Sequence, residues 1–169
     1  MSRATQPDPI DAALDAARER SPLLGRPGFL MRRLHQIHTA LFLEETAAFG
    51  ITPVQYSLIT ALADHGEMDQ NTLALEIGLE RTSAAEVLPR LETRGVLERR
   101  QWPEDRRVKL VRLTRSGRAL VKRMAPAVQR AHDRTIEQLA PAERKQFMLQ
   151  MIRLVEANND TRVAPLRLR

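Results

Sequence analysis

Two adjacent arginines, Arg106 and Arg107, follow a Trp-Pro-Glu-Asp segment, and Lys109 stands just behind them. Proline and aspartate favour a turn, and the flanking segments 97–101 and 108–113 are rich in branched and long side chains that suit strands. The pattern predicts a β-hairpin whose tip is positively charged. Such a tip can bind phosphates, and arginine suits a narrow, electronegative minor groove. The chemistry indicated is therefore nucleic-acid binding.

Asp105 is the exception at this basic tip, because a carboxylate beside DNA repels phosphate. We expect it to act structurally. It can accept hydrogen bonds from turn amides and pair with an arginine, which would hold Arg107 in position. Arg107 is then expected in the minor groove, with Arg106 close to the phosphates.

Two short helices must precede the hairpin. Asp69 is expected to cap the first, Gly78 to close it, and the second to span 81–94. Helices joined around a glycine turn predict a helix-turn-helix, whose second helix normally enters the major groove. Pro89 removes one backbone donor and should bend that second helix. Its inward face is predicted to consist of Ala84, Val87, Leu88 and Leu91.

The side chains expected at the DNA are small, hydrogen-bonding or basic. Small residues allow close approach to the base edges, while hydroxyl and guanidinium groups reach phosphates or bases. Phosphate contacts are expected from Thr82, Ser83, Arg90 and Arg112. Base-edge contacts are expected from Arg81, Thr82, Ala85 and Glu86. The complete predicted DNA-binding set is Arg81, Thr82, Ser83, Ala85, Glu86, Arg90, Asp105, Arg106, Arg107, Lys109 and Arg112.

The distribution of charge supports this interpretation. The 169-residue chain has a formal net charge of +6. Between Glu80 and Arg118 there are eleven basic and six acidic residues, so 11 − 6 leaves +5 within this segment. The basic excess is therefore concentrated where the hairpin and its preceding helix lie, as a polyanion-binding surface requires.

The run Asp-Arg-Arg-Val-Lys-Leu-Val-Arg-Leu-Thr at 105–114, followed by Ser116-Gly117, resembles the wing signature of the MarR family of winged helix-turn-helix regulators. Residues 91–99 resemble that family's recognition-helix ending and first wing strand. The likeness extends over about 29–155 and is most specific in 52–118. The resemblance implies a homodimer whose first and last helices interleave. It also implies two winged domains on a palindromic operator, and repression controlled by small phenolic or aromatic acids.

The predicted fold is mainly α with a small β-hairpin wing, comprising a winged helix-turn-helix domain and a helical dimerisation domain. Apolar residues at helical spacing over Phe29–Phe49, 114–139 and the helix beginning at Pro141 supply buried stripes. Thr52 and Pro53 are expected to begin the helix before the helix-turn-helix, with Val54, Leu58, Ala61 and Leu62 inward. The predicted divisions are an N-terminal arm (1–28), a dimerisation region (29–51 and 115–157), the DNA-binding domain (52–114) and a flexible basic tail (158–169).

A small-molecule effector is expected to bind where the winged domain meets the dimerisation helices. Arginine or histidine there would suit a carboxylate or a phosphate. The predicted ligand is an aromatic carboxylic acid or its coenzyme A thioester. The predicted effector-binding residues are Arg32, Arg33, His35, His38 and Tyr56. His35 and His38 also stand three apart and could begin a metal site. A polar patch is favoured over that reading, so we expect no cofactor, and a metal-responsive regulator remains an alternative.

Other classes of protein fit the sequence less well. The absence of cysteine excludes disulfides and thiol nucleophiles, and no phosphate-binding loop or nucleophile elbow is present, so an enzyme is not expected. No apolar run has transmembrane length, and the polar N-terminus does not resemble a signal peptide. A soluble cytoplasmic protein is expected. A helical protein-interaction module, whose basic hairpin meets an acidic partner, is the other alternative.

Overall fold

The computed structural model describes residues 8–159 and 165–167, which form seven α-helices and three short strands. The helices are α1 (Pro9–Arg20), α2 (Pro27–Glu45), α3 (Pro53–His65), α4 (Gln70–Glu76), α5 (Arg81–Thr93), α6 (Arg115–Ile136) and α7 (Pro141–Ala157). The strands are β1 (Met68–Asp69), β2 (Leu97–Gln101) and β3 (Lys109–Leu113). The predicted fold class, mainly α with a small β wing, is confirmed. The chain divides into two compact units, one up to Ala40 and one from Leu41 onward.

The boundaries of α2 differ from those predicted. The helix expected over Phe29–Phe49 begins earlier, at Pro27, and ends at Glu45. A 3-10 turn (Ala47–Phe49) follows, and Gly50 then adopts a left-handed conformation with φ of 59°. The end of the predicted N-terminal arm (1–28) contains a 3-10 turn (Pro22–Gly25) and the start of α2. Both elements begin at a proline, whose fixed φ suits the first helical position.

Side-chain caps begin α3 and α4 where the sequence predicted. Thr52 Oγ1 accepts a hydrogen bond from the Gln55 amide at 3.3 Å, and Gln55 Oε1 accepts one from the Thr52 amide at 3.1 Å. The Asp69 carboxylate accepts from the amides of Asn71 and Thr72 at 2.9 and 3.0 Å. These bonds satisfy amides that have no partner inside a helix.

The sheet contains one strand more than predicted. Its order is β1-β3-β2 with all pairs antiparallel, and Met68 faces Val111 across β1 and β3. A two-residue strand shows no alternation in the sequence, and its second residue, Asp69, also caps α4. This strand attaches the wing, defined as residues 97–113, to the helix-turn-helix.

The core lies in the second unit, between α3, α5, the sheet and α6. Ala84, Leu88 and Leu91 are buried on α5 and Val87 is half-buried, which confirms the predicted inward face. Val54 was predicted to be buried on α3 but is 40% exposed. It lies in the first turn of the helix, and the buried stripe instead includes Ile59, which is fully buried.

A close backbone approach fixes the start of α6. Thr114 caps this helix by accepting a hydrogen bond from the Gly117 amide at 3.0 Å. A Cβ placed on Gly117 would lie 1.9 Å from the carbonyl oxygen of Val96, so only glycine fits without backbone movement. The glycine of the Ser116-Gly117 pair thus allows α6 to begin against the strand that leads into the wing.

Candidate nucleic-acid interface

The wing tip holds an arginine in a fixed position on an exposed turn. Asp105 Oδ1 accepts hydrogen bonds from the Arg107 amide at 2.9 Å and from its Nε at 3.1 Å, while Oδ2 accepts from Nη2 at 3.0 Å. The Arg107 side chain nevertheless remains 90% exposed. The hydrogen bonds from Arg107 lower the pKa of Asp105, so the carboxylate stays charged. The predicted pairing of Asp105 with Arg107 is therefore present.

Most other arginines of the wing are paired with carboxylates. Arg100 binds Glu67 through Nε at 3.0 Å and Nη2 at 2.7 Å, and this hydrogen bonding lowers the pKa of Glu67. Arg112, predicted to contact phosphate, faces Glu98 across β2 and β3 and forms an ion pair with it. These pairs reduce the number of unpaired cations on the wing.

The base of the wing is tied to α5 by a third pair. Glu92 accepts hydrogen bonds from the Arg99 Nε at 2.8 Å and from the Arg99 amide at 3.2 Å. The side-chain hydrogen bond from Arg99 is the main cause of the lowered pKa of Glu92. Sequence reasoning missed this pair and the Arg100–Glu67 pair. The partners are distant in sequence or lie in different elements, and each segment also contains other carboxylates and arginines.

The exposed face of α5 carries most of the residues predicted to contact DNA. Ser83 is half-buried, while the rest of this predicted set on the helix is exposed, namely Arg81, Thr82, Ala85, Glu86 and Arg90. Within the described ranges no ion pair involves Arg81, Arg90 or Arg106. Lys109 is also exposed, at the start of β3. Free cations thus flank the helix and extend to the wing tip.

The predicted effector-binding residues fall in different units. Arg32, Arg33, His35 and His38 lie on α2 in the first unit, whereas Tyr56 lies on α3 in the second. The Arg32 guanidinium lies 5.3 Å from the Phe29 ring centre, and Arg33 donates to Gln36 at 2.8 Å. That these side chains share one ligand site stays a prediction. In the part of the chain that the structure covers, no group of three histidine or acidic side chains could hold a metal ion.

Helix α7 exposes an apolar surface. Its large side chains Leu149, Ile152, Leu154 and Val155 are 51%, 45%, 55% and 51% exposed. None of its residues is buried within the chain. Among its other large apolar residues, Phe147 and Met151 are half-buried and Met148 is exposed. An uncovered helix face of this kind is typical of a protein–protein interface.

The C-terminal residues 165–167 make defined contacts with α4. The Arg167 amide donates to the Leu75 carbonyl at 2.9 Å, and its guanidinium lies 3.5 Å from the Glu76 carboxylate. The predicted flexible tail at 158–169 otherwise falls largely outside the described residues. Among the described residues, no helix combines the length and the apolar composition that a membrane span requires.

A helix-turn-helix followed by an antiparallel wing with a basic tip defines a winged helix DNA-binding protein. The family model described as "MarR family" matches residues 51–109. The transcriptional regulator HosA of Escherichia coli O111:H- is 30% identical over 123 residues, which cover 73% of this chain and 89% of HosA. The chain therefore belongs to the MarR family, and it is a transcriptional regulator of the winged helix class.

Other relatives and solved structures agree. The transcriptional repressor NicR of Pseudomonas putida KT2440 is 27% identical over 79% of this chain and 84% of its own. PcaV of Streptomyces coelicolor, in complex with its natural ligand, is 33% identical with a TM-score of 0.74, covering 80% of this chain and 95% of PcaV. The repressor CouR, bound to a 23-mer DNA duplex, is 28% identical with a TM-score of 0.72, and the match covers 80% of this chain and 96% of CouR.

Proposed function

We propose that this protein is a dimeric, sequence-specific DNA-binding repressor that a small-molecule effector releases from a palindromic operator. One observation carries the proposal: the guanidinium of Arg107 is 90% exposed at the wing tip while Asp105 holds it in place. A fixed, exposed cation loses less conformational entropy on binding than a mobile one. It is suited to a narrow groove lined by phosphates.

The contacts proposed for DNA follow from exposure and charge. Arg107 enters the minor groove, with Arg106 and Lys109 near the phosphates. On α5 and β3, phosphate contacts come from Thr82, Ser83, Arg90 and Arg112, and base-edge contacts from Arg81, Thr82, Ala85 and Glu86. Glu80, the residue before α5, makes no side-chain cap, which leaves the first amides of α5 available to a phosphate oxygen. The DNA complex of CouR supports DNA as the partner.

A second copy of the chain is proposed to cover the apolar face of α7. Burying about 25 cal/mol per Å² of apolar surface is favourable, and a twofold pair hides the same face on both copies. The resulting dimer presents two copies of α5 and two wings. This matches an operator whose halves are related by the same symmetry.

The proposed effector is an aromatic carboxylic acid or its coenzyme A thioester, bound by Arg32, Arg33, His35, His38 and Tyr56. The DNA binding of BpsR from Bordetella bronchiseptica is regulated by 6-hydroxynicotinic acid. BpsR is 30% identical with a TM-score of 0.74, covering 80% of this chain and 95% of its own. The effector acts by favouring a dimer state with a different spacing between its DNA-reading helices. A thermal-shift screen of aromatic acids and their thioesters, followed by DNA competition, identifies the ligand.

The proposal is tested by selecting duplexes from a randomised library and titrating salt. We expect a preference of about 10³-fold or more for the selected duplex over a scrambled one. Arg107→Ala should lower affinity for the selected duplex by about 1–3 kcal/mol. Arg100→Ala is the matched control, because its side chain is only 47% exposed and is bound to Glu67 away from the wing tip. It should leave that affinity near wild type. Weak binding without sequence preference would instead favour a protein-interaction module.

A further inference from the structure

The residue that follows α5 holds the connection through which the chain enters the winged part of the molecule. Arg94 donates from Nη1 to the Gly50 carbonyl at 2.6 Å and from Nη2 to the Phe49 carbonyl at 2.8 Å. Phe49 ends the 3-10 turn after α2, and Gly50 follows with its left-handed φ. Carbonyls at the end of a helical turn lack partners within the turn, and a guanidinium satisfies them with a favourable charge.

The next residue, Gly95, is bound by the segment through which the chain leaves the wing and begins α6. The Gly95 carbonyl accepts hydrogen bonds from Thr114 Oγ1 at 2.7 Å and from Ser116 Oγ at 2.8 Å. Both hydroxyls belong to the start of α6, where Thr114 is the N-cap. The Thr114 amide also donates to the Val96 carbonyl at 3.1 Å.

The segment that enters the winged part and the segment that leaves it thus contact consecutive residues, Arg94 and Gly95, after α5. The entering segment follows α2, and the leaving segment begins α6. The contacts at the start of α6 include a backbone hydrogen bond, and Gly117 lets α6 pack closely against the Val96 carbonyl. The contacts at the entry depend on one side chain, and they join residues 44 and 45 positions apart in sequence. Arg94 therefore gives a displacement at the end of α2 a hydrogen-bonded route to α5.

We infer that Arg94 is a positioning residue: it fixes the orientation of α5 relative to the end of α2 and thereby sets the preference of the protein for its operator. The inference rests on the proposed function, since it concerns how α5 reads DNA. Arg94 lies one helical turn beyond Arg90, which is proposed to contact DNA directly. The two arginines therefore provide a comparison between positioning and contact within one helix end.

The experiment uses the full chain and a duplex selected by the wild-type protein from a randomised library of about 30 base pairs, long enough for two half-sites one helical turn apart. Affinities for this duplex and for a scrambled duplex are measured across a salt series for wild type, Arg94→Ala, Arg94→Lys and Arg90→Ala. Thermal unfolding of each variant is measured in parallel. All affinities are compared below the melting temperature of the least stable variant.

We expect Arg94→Ala to lose preference for the selected duplex by about 2- to 30-fold, the range of coupling effects carried by residues that touch neither ligand. Its affinity for the scrambled duplex and its salt slope should match wild type, because the positioning contact involves no phosphate. Arg94→Lys keeps the charge but donates from one nitrogen instead of two, so it should recover only part of the preference. Arg90→Ala should reduce the salt slope by about 0.9.

Three results can overturn the inference. If Arg94→Ala and Arg94→Lys both keep wild-type preference, the tie does not orient α5. If Arg94→Ala lowers the salt slope as Arg90→Ala does, Arg94 contacts phosphate. Should Arg94→Ala fail to fold, Arg94→Lys decides. One ammonium nitrogen does not reproduce the two-nitrogen fork of arginine, so wild-type affinity of Arg94→Lys for both duplexes would also contradict the inference. A wild-type protein that selects no duplex overturns the proposed function itself, whatever the variants do.

Discussion

Asp105 and Arg107, separated by one residue at the wing tip, are joined by three hydrogen bonds that involve both carboxylate oxygens, the Arg107 amide and two guanidinium nitrogens. The amide bond shapes the turn, and the guanidinium bonds orient the side chain. Asp105 therefore has two opposite influences on DNA binding. It holds the Arg107 side chain in the orientation proposed to enter the minor groove, and its own negative charge repels phosphate.

A double-mutant cycle separates these influences. We expect Asp105→Asn to weaken operator binding less than Arg107→Ala, because the amide oxygen still accepts the turn hydrogen bond while the ion pair is lost. In the Arg107→Ala background the same change should have little further effect, giving an interaction energy of about 0.5–3 kcal/mol. If Asp105→Asn instead raises DNA affinity equally in both backgrounds, the carboxylate only repels DNA and does not brace the arginine.

The apolar face of α7 should control the association of subunits. Ile152 is 45% exposed within one chain, so Ile152→Glu should leave each subunit folded while burying a charge at the interface of the proposed dimer, which is costly. We expect sedimentation to show a large shift towards monomer. Gln150→Glu, an exposed polar position on the same helix, is the matched control and should remain dimeric. A dimer unaffected by Ile152→Glu would remove α7 from the interface.

The close approach at Gly117 makes a stability prediction. Gly117→Ala places a Cβ where the Val96 carbonyl oxygen lies 1.9 Å away, and relieving that clash requires backbone movement. We expect a loss of about 1–3 kcal/mol or more in the free energy of unfolding by urea. Gly28→Ala is the control, since nothing lies within 4 Å of its Cβ position on α2, and alanine is the better helix former. Equal stability of the two variants would contradict the predicted clash.

Glu45 should contribute to the acid sensitivity of the fold. Hydrogen bonds from Arg130 and Arg134 lower the pKa of Glu45 below its ordinary value of 4.5. A carboxyl whose pKa is lower in the folded state stabilises that state above the ordinary value, and the contribution is lost as pH falls through the lowered pKa. Glu45→Gln should therefore be less stable than wild type near neutral pH, with the difference shrinking on acidification below 4.5.

The measurement is urea unfolding at several pH values between about 6 and 3, the region in which paired carboxylates become protonated. Glu104→Gln alters an exposed wing carboxylate and should give a curve parallel to wild type. A difference between Glu45→Gln and wild type that stays constant across this range would show that ionisation of Glu45 is not linked to folding.

The sequence predicts those elements whose determinants are local. Thr52 and Asp69 cap the helices they were expected to cap, and the wing strands begin and end within one residue of the prediction. These features depend on residues within a few positions of each other. The inward face of α5 also follows from its periodicity.

Contacts between distant segments could not be predicted. Strand β1 forms only because Met68 and Asp69 pair with β3 in the folded chain. The sequence of these two residues alone does not indicate a strand. The bonds from Arg94 to Phe49 and Gly50, and the pairing of Arg100 with Glu67, depend on the folded arrangement of the second unit. Arginine has many possible carboxylate or carbonyl partners in this chain, and the sequence does not rank them. The predicted effector site has the same difficulty, since its residues come from separate helices.

The claim that two subunits read one operator is tested most directly by changing the distance between operator halves. Binding of the full chain is measured on the selected duplex and on a version with about 5 base pairs inserted at its centre, which rotates one half-site to the opposite side of the helix. We expect two subunits to bind each selected duplex, and the affinity to fall to that of the scrambled duplex after the insertion. One subunit per duplex, or equal affinity for both duplexes, would contradict it.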